Sequence, residues 1–254
     1  RAEMNRQITF LEGKHSNFIS QKVDSLFGCD IWVDAELANS KTGDDFFWAS
    51  TNTGTADRNF VMYSYPYTDK DTFTKEYNKL GCEVKCLCLV SAPGEDTINH
   101  LLQWADIIYV GGGDTVFMMQ MWKKYGVDKK LKEIYEKDTA VLTGISAGAI
   151  CWFCCGHSDS QSFSKESEWE YCWADGLGIV PMAFCPHYNE EGRGSFDAML
   201  LEKDIVGLAM ENNTAFVESD GERYFIRSNK EAQAFLIQYQ AEEMQKRSVD
   251  FREI

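Results

Sequence analysis

From about residue 60 onward, short apolar runs alternate with helix-length amphipathic segments, and this alternation constrains the fold more than any other feature of the chain. NFVMYSYPY reads as a strand ending at Pro66. DKDTFTKEYNKL reads as a helix, with Thr68 as a candidate cap and Gly81 as its stop. EVKCLCLV is the next strand, DTINHLLQWA a short helix and DIIYV a further strand, after which GGGDT opens the helix VFMMQMWKKYG. DKKLKEIYEK is another helix, feeding the strand AVLTGI. Strands separated by helices of about ten residues predict a parallel sheet covered on both faces. The Met and aromatic positions of VFMMQMW are then core contacts.

Beyond residue 175 the strand candidates are IVPMAFCP, IVGLAM and TAFVES. TAFVES is expected to pair with RYFIRS across an Asp220-Gly221 turn, giving a C-terminal hairpin, and QAFLIQY reads as a final strand. In residues 1–59, ITFLEG and CDIWVDA are strand-like, whereas KTGDDFFWASTNTGTADRN is polar and without period. No linker divides the 254 residues, so one α/β domain is expected.

Charge and cysteines narrow the function classes. Lys and Arg number 25 against 40 Asp and Glu, a formal charge of −15 that repels phosphate backbones and argues against nucleic acid as a partner. An acidic substrate would need a local cation. No apolar run reaches the roughly 18 residues that span a bilayer, and the start RAEMNRQITFLEG lacks a signal-peptide centre, so a soluble chain is expected. The nine cysteines include C-x3-C-x-C at 82, 86 and 88, a poor match to zinc spacing. Buried reduced thiols in a cytoplasmic protein are the expectation, with no metal.

The chemistry centres on VLTGISAGAICWF. Gly144-Ile145-Ser146-Ala147-Gly148 is a G-x-S-x-G sequence with an apolar strand before it and a helix-capable segment after it. A nucleophile on a tight strand-to-helix turn needs neighbours without bulk, and glycine tolerates the crowded backbone. A packing turn carrying an incidental serine would also fit these residues. Of the four histidines, His187 closes MAFCPHY, where Pro186 turns the chain out at a strand's C-terminal end. Ser146 and His187 are therefore expected at one rim of a common parallel sheet. His157 follows Ser146 by eleven residues. If that stretch is helical, the rise carries it about 15 Å away. The acid that steadies the imidazole is Glu211, directly after GLAM, or Asp159 in GHSDS. Gly111-Gly112-Gly113-Asp114-Thr115 ends another strand and offers bare N–H groups, for phosphate or for an oxyanion. Neither nucleotide-binding glycine motif is present.

YVGGGDT, GISAGA, CPHYNEEGR and the Glu of GLAMENN, in that order, resemble the serine peptidases of the dipeptidase E (aspartyl dipeptidase) and cyanophycinase group, over about residues 60–240. The resemblance implies a three-layer α/β sandwich with a mostly parallel sheet, like that of class I glutamine amidotransferases, with the nucleophile on a strand-to-helix elbow. It implies a Ser146–His187–Glu211 triad, oxyanion donors at Gly113 and Ala147, and a supporting role for Asp159. Arg193 is the nearest match to the arginine associated with Asp-X substrates, and with Asp114 it completes the expected substrate-binding residues. The first 59 residues depart from the family pattern, with FLEGKHSN where a glycine loop would follow the first strand.

The expected function is a serine exopeptidase or dipeptidase acting on short peptides, some with an N-terminal Asp, and needing no cofactor. Its partner is the peptide, not nucleic acid or membrane, and a homodimer is left open. Two alternatives are a non-catalytic relative binding a peptide or metabolite at the same site, and an α/β-hydrolase esterase. The esterase is disfavoured because that fold places its acid before a late histidine.

Overall fold

The computed structural model describes residues 82–252 apart from 165–167, 220 and 242, together with residues 74, 77 and 78 and the backbones of five earlier strands. Those strands are β1 (Ile8–Glu12), β2 (Gln21–Leu26), β3 (Cys29–Asp34), β4 (Phe46–Thr51) and β5 (Arg58–Tyr63). The helix expected over 69–80 lies almost wholly outside the described residues. There follow β6 (Cys82–Leu87), α1 (Glu95–Trp104), β7 (Ile107–Val110), α2 (Thr115–Tyr125), α3 (Val127–Lys137), β8 (Val141–Ile145) and α4 (Ala147–Ile150). The remainder is β9 (Phe153–Ser158), β10 (Cys172–Asp175), β11 (Val180–Cys185), α5 (Ser195–Leu200), β12 (Gly207–Met210), β13 (Thr214–Ser219), β14 (Glu222–Arg227), β15 (Ala234–Gln240) and β16 (Glu243–Ser248).

The fold is mixed α/β around a central seven-stranded sheet in the order β14-β13-β1-β8-β7-β5-β6. Strands β1, β8, β7, β5 and β6 run parallel, as short apolar strands joined through helices must. The hairpin β13–β14 closes one edge with Ser219 opposite Glu222, as TAFVES and RYFIRS predict. A six-stranded sheet, β10-β9-β11-β12-β15-β16, carries the later strands, and β2-β3-β4 form a third sheet.

The common rim expected for Ser146 and His187 therefore gives way to two rims. β8 belongs to the central sheet, while β11 and β12 belong to the six-stranded one. The cause lies just after the serine. The helix-capable stretch is only the four residues of α4, and at Phe153 the chain becomes β9, a strand of the second sheet. Small residues support one helical turn; Phe153 and Cys155 then bury themselves as part of a strand. The stretch to His157 is therefore not helical, and His157 is a fully buried residue of β9.

One core joins the two sheets. Phe153 of β9 stacks on Phe184 of β11 with ring centroids 4.4 Å apart, and Phe216 of β13 meets Phe153 at 6.2 Å. Trp122 of α2, Met118 and Met119 are buried in the same cluster, as the VFMMQMW pattern predicts. Among the described residues Cys82, Cys151, Cys155 and Cys185 are buried, and no group of acidic, thiol or imidazole side chains is placed to hold a metal. Burial pushes the Cys151 thiol well above its ordinary range, so it is an unreactive apolar filler. No helix among the described residues is long and apolar enough to cross a membrane.

Candidate active site

β8 is buried along almost its whole length, and the chain leaves it through Ser146 at φ 54° and ψ −119°. Positive φ at a residue with a side chain costs on the order of 1–3 kcal/mol and persists only where the surroundings enforce it. Two glycines do the enforcing. The parallel register sets Val110 of β7 opposite Gly144. A Cβ on Gly144 would run into the Gly148 carbonyl and stand 2.8 Å from the Val110 carbonyl oxygen. A Cβ on Gly148 would run into that same Val110 carbonyl and stand 2.7 Å from the Gly111 oxygen. The elbow is thus pressed onto the end of β7 at a separation only glycine permits.

That pressure brings the triple-glycine loop beside the serine. A Cβ on Gly112 would touch Ser146 Cβ at 3.4 Å and lie 3.9 Å from its Oγ, so this loop lines the hydroxyl with backbone alone. Gly113 follows at φ 136°, which side chains rarely adopt. Asp114 then caps α2, its carboxylate accepting the Phe117 N–H at 3.0 Å. Ser160 adds a second cap, accepting the Val116 N–H at 3.1 Å, while Ser158 donates to Thr115 Oγ1 at 3.2 Å. These bonds tie the end of β9 to the loop beside Ser146.

His187 and Glu211 stand on the second sheet. Cys185 of β11 pairs with Ala209 of β12, so the residues that follow leave the same edge side by side, and Tyr188 N–H donates to the Met210 carbonyl at 2.9 Å. His187 itself has φ 52°. Its Nδ1 lies 2.7 Å from Asn212 Oδ1 and 3.7 Å from Glu190 Oε1. The Glu211 carboxylate accepts the Gln233 N–H at 2.8 Å, and the two backbones bond in return through Glu211 N–H and the Gln233 carbonyl. Sequence reasoning passed over Asn212 and Glu190. The signal available was proximity: each lies within three residues of a residue already singled out.

The remaining expected site residues, Arg193 and Asp159, form a third group around the buried His157. Arg193 is 3% exposed; it donates from Nη1 to the His157 carbonyl at 2.8 Å and from Nη2 to Asp159 Oδ2 at 3.3 Å. Its guanidinium lies over the Tyr171 ring, 4.8 Å from the centroid. His157 stacks on the same ring at 4.2 Å, and its Nε2 is 2.8 Å from Ser195 Oγ. Burial, reinforced by the Arg193 charge, pushes the His157 pKa from 6.5 down to about 3, so the imidazole is neutral. The three groups are continuous. The loop at Ser146 meets β9 through Ser158 and Ser160, Asp159 meets Arg193, and Arg193 N–H donates to the Glu190 carbonyl at 3.2 Å.

The model of peptidase family S51 matches residues 62–226, and the chain belongs to that family. A model for a domain of unknown function (DUF4837) matches residues 16–79, across the stretch where the sequence departs from the family pattern. Among curated proteins, the chain is 37% identical over 119 residues to the uncharacterized peptidase YgaJ of Bacillus subtilis (strain 168), covering 47% of this chain and 48% of that one. It is 34% identical over 116 residues to the uncharacterized peptidase Lin0382 of Listeria innocua serovar 6a, covering 45% and 54%. These matches span about half the length of each relative. Among solved structures, a peptidase from an acI-B1 Actinobacterium superposes with a TM-score of 0.58 at 15% identity, covering 96% of this chain and 97% of that one. A candidate peptidase E from Listeria monocytogenes EGD-e gives 0.56 at 17% identity, covering 89% and 100%. At these identities the structural likeness carries the fold.

Proposed function

We propose that the chain is a serine-type exopeptidase or dipeptidase that hydrolyses short peptides, with Ser146 as nucleophile, His187 as general base and Glu211 as the carboxylate of the triad. The observation that carries this reading is the enforced backbone at Ser146, a strained hydroxyl at the exit of a buried parallel strand with a bare glycine loop against it. In this reading Ser146 Oγ attacks the scissile carbonyl as His187 Nε2 takes its proton, and the imidazolium later protonates the leaving amine. The Gly113 and Ala147 amides receive the oxyanion, where each donor lowers the barrier by about 3 kcal/mol. The reaction calls on no metal or organic cofactor. The same reading assigns one domain with the three-layer arrangement of class I glutamine amidotransferases, and the buried cysteines suit the cytoplasm.

Preference for an N-terminal Asp is the finer part of the proposal and rests on Arg193, with Asp114 beside the glycine loop. The fork of Arg193 is occupied by Asp159 and the His157 carbonyl. An aspartyl carboxylate would have to share or displace the Asp159 contact. A dipeptide-library digest comparing Asp-X with neutral X-X tests this, and equal turnover of both sets counts against it. The nucleophile itself is tested with a fluorophosphonate probe: wild type should label and Ser146→Ala should not. Equal labelling would end the serine reading. Calorimetric binding of dipeptides without any product would favour a non-catalytic binder.

A further inference from the structure

Resting on the reading of His187 as the base, we infer that Asn212 is a positioning residue that fixes the tautomer of the His187 imidazole. The argument follows from which atoms can donate. Glu190 Oε1 lies 3.1 Å from Asn212 Nδ2, and a carboxylate only accepts, so the amide nitrogen must face Glu190. The amide oxygen then faces His187, 2.7 Å from Nδ1. A carbonyl oxygen also only accepts, so Nδ1 carries the proton and Nε2 is left with its lone pair. That is the form a base needs to take a proton from a serine hydroxyl.

The Asn212 backbone is held as well. Asn189 Oδ1 accepts the Asn212 backbone N–H at 2.9 Å, and Asn212 is 7% exposed, so its side chain cannot turn freely. His187 sits at φ 52°, a conformation kept only under local constraint. Glu211 acts one residue earlier in the chain: its carboxylate and backbone bond Gln233, which anchors the loop that presents Asn212. The segment after β12 thus divides its work, with Glu211 tying the loop to Gln233 and Asn212 supplying the contact to Nδ1.

The test measures the rate of covalent labelling by a fluorophosphonate in the full chain, with the urea unfolding midpoint as a control on folding. Asn212→Ala should label about 100-fold more slowly than wild type. Asn212→Asp combined with Glu190→Gln should recover to within about tenfold of wild type, because one carboxylate oxygen accepts the same Nδ1 proton while the new amide at position 190 donates to the other. Glu190→Gln should slow labelling by about tenfold, since its amide can face Asn212 with either a donor or an acceptor and no longer dictates the orientation. Wild-type labelling by Asn212→Ala overturns the inference. So does a double variant as slow as the Ala variant, which would show a packing role instead. If Asn212→Ala does not fold, Glu190→Gln decides, and an unchanged rate overturns the inference. Failure of the underlying serine reading looks different, because Ser146→Ala would then label like wild type.

Discussion

The two halves of the candidate site are held by different physics. On the central sheet, Ser146 is placed by backbone sterics: Gly144 and Gly148 close on Val110, and no side chain takes part. On the six-stranded sheet, His187, His157 and Arg193 are placed by side-chain hydrogen bonds to Asn212, Ser195 and Asp159. The first half has no room for an added atom.

The largest expected effect separates the proposed nucleophile from everything that supports it. Ser146→Ala should lower turnover of any cleaved dipeptide by at least about 10⁴-fold while leaving the unfolding midpoint in place, because alanine keeps the Cβ and so leaves the backbone strain unchanged. A variant retaining a tenth of wild-type turnover would contradict this. Next, Gly148→Ala should cost about 2–3 kcal/mol of stability and abolish fluorophosphonate labelling together, since its Cβ meets a carbonyl that cannot move without β7. Urea denaturation reads the first effect; wild-type stability and labelling would show that the elbow is not sterically set.

A pH series sharpens the contrast from the other side. The folded His157 binds a proton only near pH 3 and the unfolded chain does so near 6.5, so the unfolded state holds more protons across that window. This contribution is complete above about pH 6.5 and is lost as pH falls toward 3. Arg193, Tyr171, Cys185 and Ser195 face the ring, and none is an anion at neutral pH that would offset the loss. The urea midpoint should therefore fall less between pH 7 and pH 4 in His157→Gln than in wild type; parallel curves would refute the assignment. The smallest effect belongs to Arg193→Ala, which frees an Asp159 that already reaches water. It should cost about 1–2 kcal/mol. If the arginine is only a strut, the ratio of Asp-X to neutral turnover stays the same.

Local pattern was legible where a segment's own residues decide its form. α2 and α3, the strands β6, β7, β8 and β11, and the β13–β14 hairpin fall where periodicity and turn residues put them. β16 was not legible. Its six residues, EMQKRS, are all exposed and have no alternation, and it is a strand because β15 offers it a ladder with Gln240 opposite Glu243. The same holds for β9, whose GISAGA prelude suggested a longer helix than the single turn observed.

The glycines around Ser146 were readable because a tight elbow demands small residues wherever it occurs, and short-range sterics travel with the sequence. The order serine, imidazole, carboxylate was likewise a property of the chain. Which sheet each strand joined, and which atom met His187 Nδ1, depended on pairings between residues far apart. Asn212 and Glu190 are 22 residues apart yet share one hydrogen bond. Contacts of that range are settled by competition among whole strands for partners, and a one-dimensional pattern holds no record of who wins.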